Sequence, residues 1–135
     1  GTYLAANRFD IQWNDDDPDD DATINLYYDS DNSGYDGALI QTGLHEDNTV
    51  DSHAWDTSSI PEGTYWVYGV IHDGNTIPVG VYSVGWVRVT HITEQELIDH
   101  ILGRAYINPS RAPYADLDVD GQITPADLVV RRTLE

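Results

Sequence analysis

Apolar and polar residues alternate from Arg8 to Trp13, with Phe9, Ile11 and Trp13 on one side and Arg8, Asp10 and Gln12 on the other. A period of two marks a half-buried strand, because successive side chains leave a strand on opposite faces. The alternation returns over residues 22–28, where Ile24, Leu26 and Tyr28 share a face. Short strands are expected at residues 38–42 and 49–55, and a longer one, rich in Tyr, Trp and Val, at residues 64–72. Asp73, Gly74 and Asn75 spell a hairpin turn, and residues 78–89 return as a last strand. Short strands at regular spacing, separated by turn residues, predict a mainly β fold built as a two-sheet sandwich.

After Thr90 the period changes. Leu97, Ile98, Ile101 and Leu102 recur at helical spacing, with Thr93 and Glu96 placed as a capping box and Gly103 at the C-terminal end. Ser110 is a candidate cap for a short helix running to Tyr114. Thr124 and Pro125 open a final helix whose buried side is expected to be Leu128, Val129 and Leu134. The chain therefore divides into a sandwich over residues 1–90 and a small helical module over residues 91–135.

Within the helical part, residues 116–127 read DLDVDGQITPAD. Carboxylates fall at loop positions one, three, five and twelve, a glycine at six and an isoleucine at eight, the spacing of an EF-hand-type calcium loop. Calcium takes several hard oxygen ligands. Asp116, Asp118 and Asp120 would offer side-chain oxygens, Gln122 its carbonyl, Thr124 a direct or water-mediated contact, and Asp127 would close the site. Gly121 allows the sharp turn.

Aspartate at position twelve, with D-x-D-x-D-G-x-I before it and Asp127-Leu128-Val129-Val130 around and after it, resembles the dockerin module. A second match supports this: residues 92–98 (ITEQELI) align with residues 123–129 (ITPADLV) at an offset of 31. The first copy's loop would place Gly85, Val87 and Val89 at the ligand positions, so it keeps a helix and has lost its ion. The resemblance covers about the last third of the chain. It implies one bound Ca2+ and docking onto a cohesin-like partner. Pro125 and Ala126, with Glu94 and Gln95 in the first copy, stand where such modules commonly carry small hydroxyl residues used for recognition.

Residues 60–67 (IPEGTYWV) resemble the corner before a late strand in fibronectin type III and related immunoglobulin-like domains. That resemblance implies that Tyr65 is a tyrosine-corner residue and that Trp13 fills the core. Residues 9–89 as a whole resemble the immunoglobulin-like modules of bacterial and archaeal surface proteins. The first strand is short, which implies a truncated strand or an open sheet edge.

Charge sharpens the partner classes. Nineteen Asp and five Glu face six Arg and no Lys, for a net charge of -18. Such a field disfavours nucleic acid and anionic membranes. No run of eighteen apolar residues offers a membrane span. With no cysteine there is no disulfide, and bound calcium is the expected staple. The acids are clustered, which favours cation binding over a dispersed halophilic surface. Asp29, Asp31 and Asp36, around Ser33 and Gly34, begin like a second calcium loop, although its twelfth position is Ile40. Residues 15–21 hold six aspartates and one proline.

Catalytic signatures are lacking: there is no H-E-x-x-H, no G-x-S-x-G and no phosphate-cradling glycine loop. Gly1, without an initiating Met or signal peptide, reads as the cut end of a longer precursor. The sequence is thus read as a non-catalytic, calcium-binding adhesion or assembly module of a secreted or cell-surface protein. It would dock on a cohesin-like protein or on neighbouring copies of itself, with neither nucleic-acid binding nor membrane insertion. The alternative is a carbohydrate-binding accessory module of a secreted glycoside hydrolase, with Trp55, Trp66, Trp86, Tyr27, Tyr68 and Tyr82 stacking on a polysaccharide.

Overall fold

A computed structural model describes residues 2–13, 22–45, 52–74 and 77–134. Of these, 40% are strand and 21% helix, so the fold is mainly β, with two sheets and three short helices, an arrangement consistent with a β-sandwich.

The strands run in chain order as β1 (Thr2–Ala5), β2 (Arg8–Gln12), β3 (Thr23–Asp29), β4 (Ala38–His45), β5 (Ser52–Asp56), β6 (Gly63–His72), β7 (Val79–Tyr82) and β8 (Trp86–Val89). The larger sheet has the order β1-β8-β6-β3-β4, with β7 also on β6, and the smaller pairs β2 with β5. The last strand is broken rather than continuous. Ser83 leaves the ladder between β7 and β8, its N–H donating to Val67 O at 2.7 Å and its hydroxyl to Gly85 O at 2.7 Å. A serine that bonds its own neighbouring backbone competes with regular pairing.

The chain folds as two compact units, one of Gly1–Tyr3, Phe9–Trp55 and Thr64–Val87, the other of Leu4–Arg8, Asp56–Gly63 and Arg88–Glu135. In the first, Ile11, Ile24, Leu26, Trp55, Val67 and Val87 are buried. Trp55 on β5 stacks on Tyr28 of β3 at 5.1 Å between ring centroids, and Tyr65 meets both rings edge-on. Trp55, not Trp13, is thus the core tryptophan. Trp13 lies just past β2, half-buried.

The second unit is built on Ile92, Leu97, Ala115 and Leu117, with Leu4, Ile107, Tyr114, Ile123, Leu128 and Val130 packed around them. Its helices are α1 (Glu94–Ile101), α2 (Ala112–Ala115) and α3 (Pro125–Thr133). Thr93 caps α1 as the sequence predicts: its hydroxyl accepts the Glu96 N–H at 3.1 Å, and its own N–H donates to Glu96 Oε1 at 3.2 Å. Gly103, just beyond the helix, takes φ +72°, the left-handed turn that glycine makes at least cost.

Two expectations are corrected here. Asn108, not Ser110, caps the 3-10 turn Pro109–Arg111 that leads into α2; its Oδ1 accepts from Ser110 N at 3.0 Å. Asn108 is followed by a proline with no N–H to satisfy, so the first free donor is that of Ser110. On α3, Val129 is 64% exposed and Val130 packs on the core in its place. The buried side is shared with Arg131, whose Nε donates to Ile92 O at 2.8 Å.

Candidate metal centre

The loop after α2 brings together three of its predicted ligands. One carboxylate oxygen from each of Asp116, Asp118 and Asp120 lies within 4.8 Å of the others. The backbone supplies the curvature. Gly121 sits at φ +87°, and Val119 also turns left-handed at φ +58°, unusual for a β-branched residue. Backbone donors turn inward onto the acids. Asp116 accepts from Asp120 N at 3.2 Å and Gly121 N at 2.8 Å, and Asp120 accepts from Gln122 N at 2.9 Å.

Asp127 takes a different place from those three. It is fully buried. Its Oδ1 accepts the Asp118 N–H at 3.1 Å and its Oδ2 the Thr124 N–H at 2.7 Å. It therefore ties the loop to the first turn of α3, where a carboxylate also complements the helix dipole. Thr124 is the residue preceding that helix, and the Gln122 side chain is exposed. Ile123 packs on the second unit's core and anchors the loop.

Three acids this close resist simultaneous ionisation. The Asp118 carboxyl is pushed up to about 6 by desolvation, then by its neighbours Asp127, Asp116 and Asp120. The Gln122 N–H holds Asp120 below the usual carboxylate range instead. A cation among the three would remove the mutual repulsion, so the triad could hold a metal ion.

A second triad lies in the first unit. Asp29, Asp31 and Asp36 also place one oxygen each within 4.8 Å of one another. Asp29 ends β3 and is buried; its Oδ2 accepts the Tyr82 hydroxyl at 2.7 Å and its Oδ1 the Asp31 N–H at 3.2 Å. That hydroxyl holds the Asp29 carboxyl below its ordinary range, while burial and the Asp29 partner push Tyr82 up to about 12. Asp31 in turn accepts from Ser33 N at 2.9 Å, and Gly34 carries the bend at φ +83°. Sequence spacing found the three acids but not Tyr82, which lies 53 residues from Asp29; only strand pairing of β3 with β6 and β6 with β7 brings it there. The aspartates of residues 15–21 lie outside the described residues, as does Glu46, which with His45 and His53 offers no recognisable zinc spacing.

The aromatic residues do not form an open row. Trp55 and Tyr68 are buried, and Trp66 and Trp86 are tilted by 51° to one another. Among the described residues no helix is long and apolar enough to cross a membrane. No family model, curated protein or solved structure matches the chain.

Proposed function

We propose that the chain is a non-catalytic, calcium-binding assembly module of a secreted or cell-surface protein. Ca2+ would sit on residues 116–127 and order residues 91–135, a dockerin-like module that docks onto a cohesin-like protein or a neighbouring copy. Residues 1–90 would be an immunoglobulin-like spacer. The observation that carries this reading is the convergence of Asp116, Asp118 and Asp120 within 4.8 Å on a loop turned at Gly121. A donor set made only of oxygens suits calcium better than zinc or copper, which prefer nitrogen and sulfur. Leu102, Tyr106 and Val129, all more than half exposed, offer apolar contacts for docking.

Thermal unfolding in chelator and in salt tests the calcium part. An ion bound only to the native state stabilises by about 2.7 kcal/mol at a hundredfold excess over its dissociation constant. Chelation should lower the Tm and added calcium restore it at constant ionic strength. A Tm indifferent to chelator but raised steeply by molar salt would point to a halophilic acidic surface instead. Sedimentation with and without millimolar calcium tests the self-assembly branch, since a monomer in both conditions leaves only docking onto a separate partner.

A further inference from the structure

The acidic loop at residues 116–127 leads into α3, of nine residues, but is entered from α2, of only four. The Asp116 N–H closes that turn on Ala112 O at 2.9 Å. A single helical turn fixes many dihedral angles for few hydrogen bonds and does not hold by itself. Its support comes from side chains of the second unit that lie far off in sequence. Tyr114 O accepts the Thr90 hydroxyl at 2.6 Å, and Pro113 O accepts from Arg88 Nη1 at 3.1 Å. These are carbonyls that a longer helix would satisfy internally.

Thr90 is fully buried, and its hydroxyl has one direction open to it. The Oγ1 accepts the Ile92 N–H at 3.2 Å, so its single hydrogen goes to Tyr114 O. The Thr90 N–H donates to Ala5 O at 2.9 Å, which seats the residue against the end of β1. The turn before α2 is held by charge. Arg111 reaches two carboxylates at once, its Nε donating to Glu62 Oε1 and its Nη1 to Glu96 Oε2, each at 2.7 Å. The other Glu62 oxygen accepts the His91 N–H at 2.9 Å. Thr90 and Glu62 thus grip the two ends of the arm that carries Asp116.

We propose that Thr90 and Glu62 are positioning residues for the ion site at residues 116–127, acting through Tyr114 and Arg111. The inference rests on the calcium reading above and places part of the control of that site outside residues 91–135. A ligand already held in place need not be ordered when the ion arrives, so a firm arm raises affinity and a loosened one lowers it. Such a coupling is reciprocal. Calcium at the loop therefore also steadies Thr90 and the Glu62 contact with His91.

The test is a calcium titration of the nitrogen-labelled full chain, read at the Gly121 N–H. That group donates to Asp116 Oδ2 at 2.8 Å, so it reports this loop and not the second triad. Thr90→Val keeps the shape and removes the hydroxyl, and should weaken binding by about tenfold. Thr90→Ser restores the hydroxyl and should bind within about twofold of the parent. Glu62→Gln sets an NH2 against a donor and should weaken binding by about fivefold; it carries the test alone should Thr90→Val fail to fold. Ile24→Val, in the core of the first unit, should lower the Tm yet bind within about twofold of the parent. In chelator, Thr90→Val should speed hydrogen exchange of the Asp116 N–H, and in the parent calcium should slow that of the His91 N–H. Thr90→Val or Glu62→Gln binding as the parent does, Thr90→Ser binding as weakly as Thr90→Val, or Ile24→Val weakening binding equally would each overturn the inference and leave the calcium reading standing. A parent with no calcium-dependent shift at Gly121 would remove both.

Discussion

The buried carboxylate of Asp127 accepts the backbone N–H of Asp118 at 3.1 Å, so a residue in the first turn of the last helix also holds the middle of the acidic loop. Its other oxygen accepts from Thr124 at 2.7 Å. Loop shape and helix start are thus fixed by one side chain. Replacing it with alanine leaves two partly buried N–H groups without their acceptor. Asp127→Ala should cost about 3 kcal/mol, at roughly 1–3 kcal/mol for each donor left unsatisfied. Denaturant unfolding in chelator measures this without any contribution from an ion.

Asp118 makes the ion-free protein sensitive to pH. Its folded carboxyl titrates at about 6, above the ordinary value of 3.8. A raised carboxyl binds its proton more tightly in the folded state, so its stabilising effect is complete below pH 3.8 and lost as pH rises through 6. Chelated protein should therefore lose stability between about pH 4 and 6 through this group. Asp118→Asn should flatten that part of the profile. Saturating calcium should reverse the trend, because the ion favours the ionised loop.

Val119 carries a β-branched side chain at φ +58° and is 59% exposed. It has little packing to lose and a strained backbone to relieve. Val119→Asn should raise stability by about 1 kcal/mol, since Asn visits the left-handed region more readily. A melting curve that moves down instead would show that the valine side chain contributes contacts.

Tyr82 links the second triad to the sheet. Tyr82→Phe removes the hydroxyl that donates to Asp29 at 2.7 Å and also bonds Ser33 O at 2.9 Å. The variant should melt at a lower temperature. The Asp29 carboxyl should then titrate closer to its usual value, because the hydroxyl is the largest cause of its lowering. Carbon-detected NMR titration of the Asp29 carboxyl checks this.

Much of this fold was legible in local pattern. The alternation at Ile24 and Leu26 and the Thr93 and Glu96 box are short-range signals that appear as expected, whereas Tyr28 is half-buried like Tyr27 and Asp29 is buried beside it. The weak 31-residue match also has a structural counterpart. Thr93 with Glu96 and Thr124 with Asp127 make the same N-terminal contact, and Ile92 and Ile123 meet in one core. Other features depend on distant partners. Ser83 breaks the last strand by bonding Val67 and Gly85, and Val129 yields its inward place to Val130 and Arg131. Nothing near Val129 in sequence distinguishes it from Val130. The acidic residues of both triads were found by spacing, whereas the backbone donors that shape them and Tyr82 required the folded chain.

Calorimetric titration of calcium into the parent and into Asp116→Ala and Asp120→Ala tests the central claim most directly. The parent should bind with a dissociation constant within roughly 10⁻⁷ to 10⁻³ M, the range of EF-type loops. Each variant should abolish that binding event, because the loop has few spare oxygens. A parent that takes up no calcium, or variants that bind it as the parent does, would contradict the account.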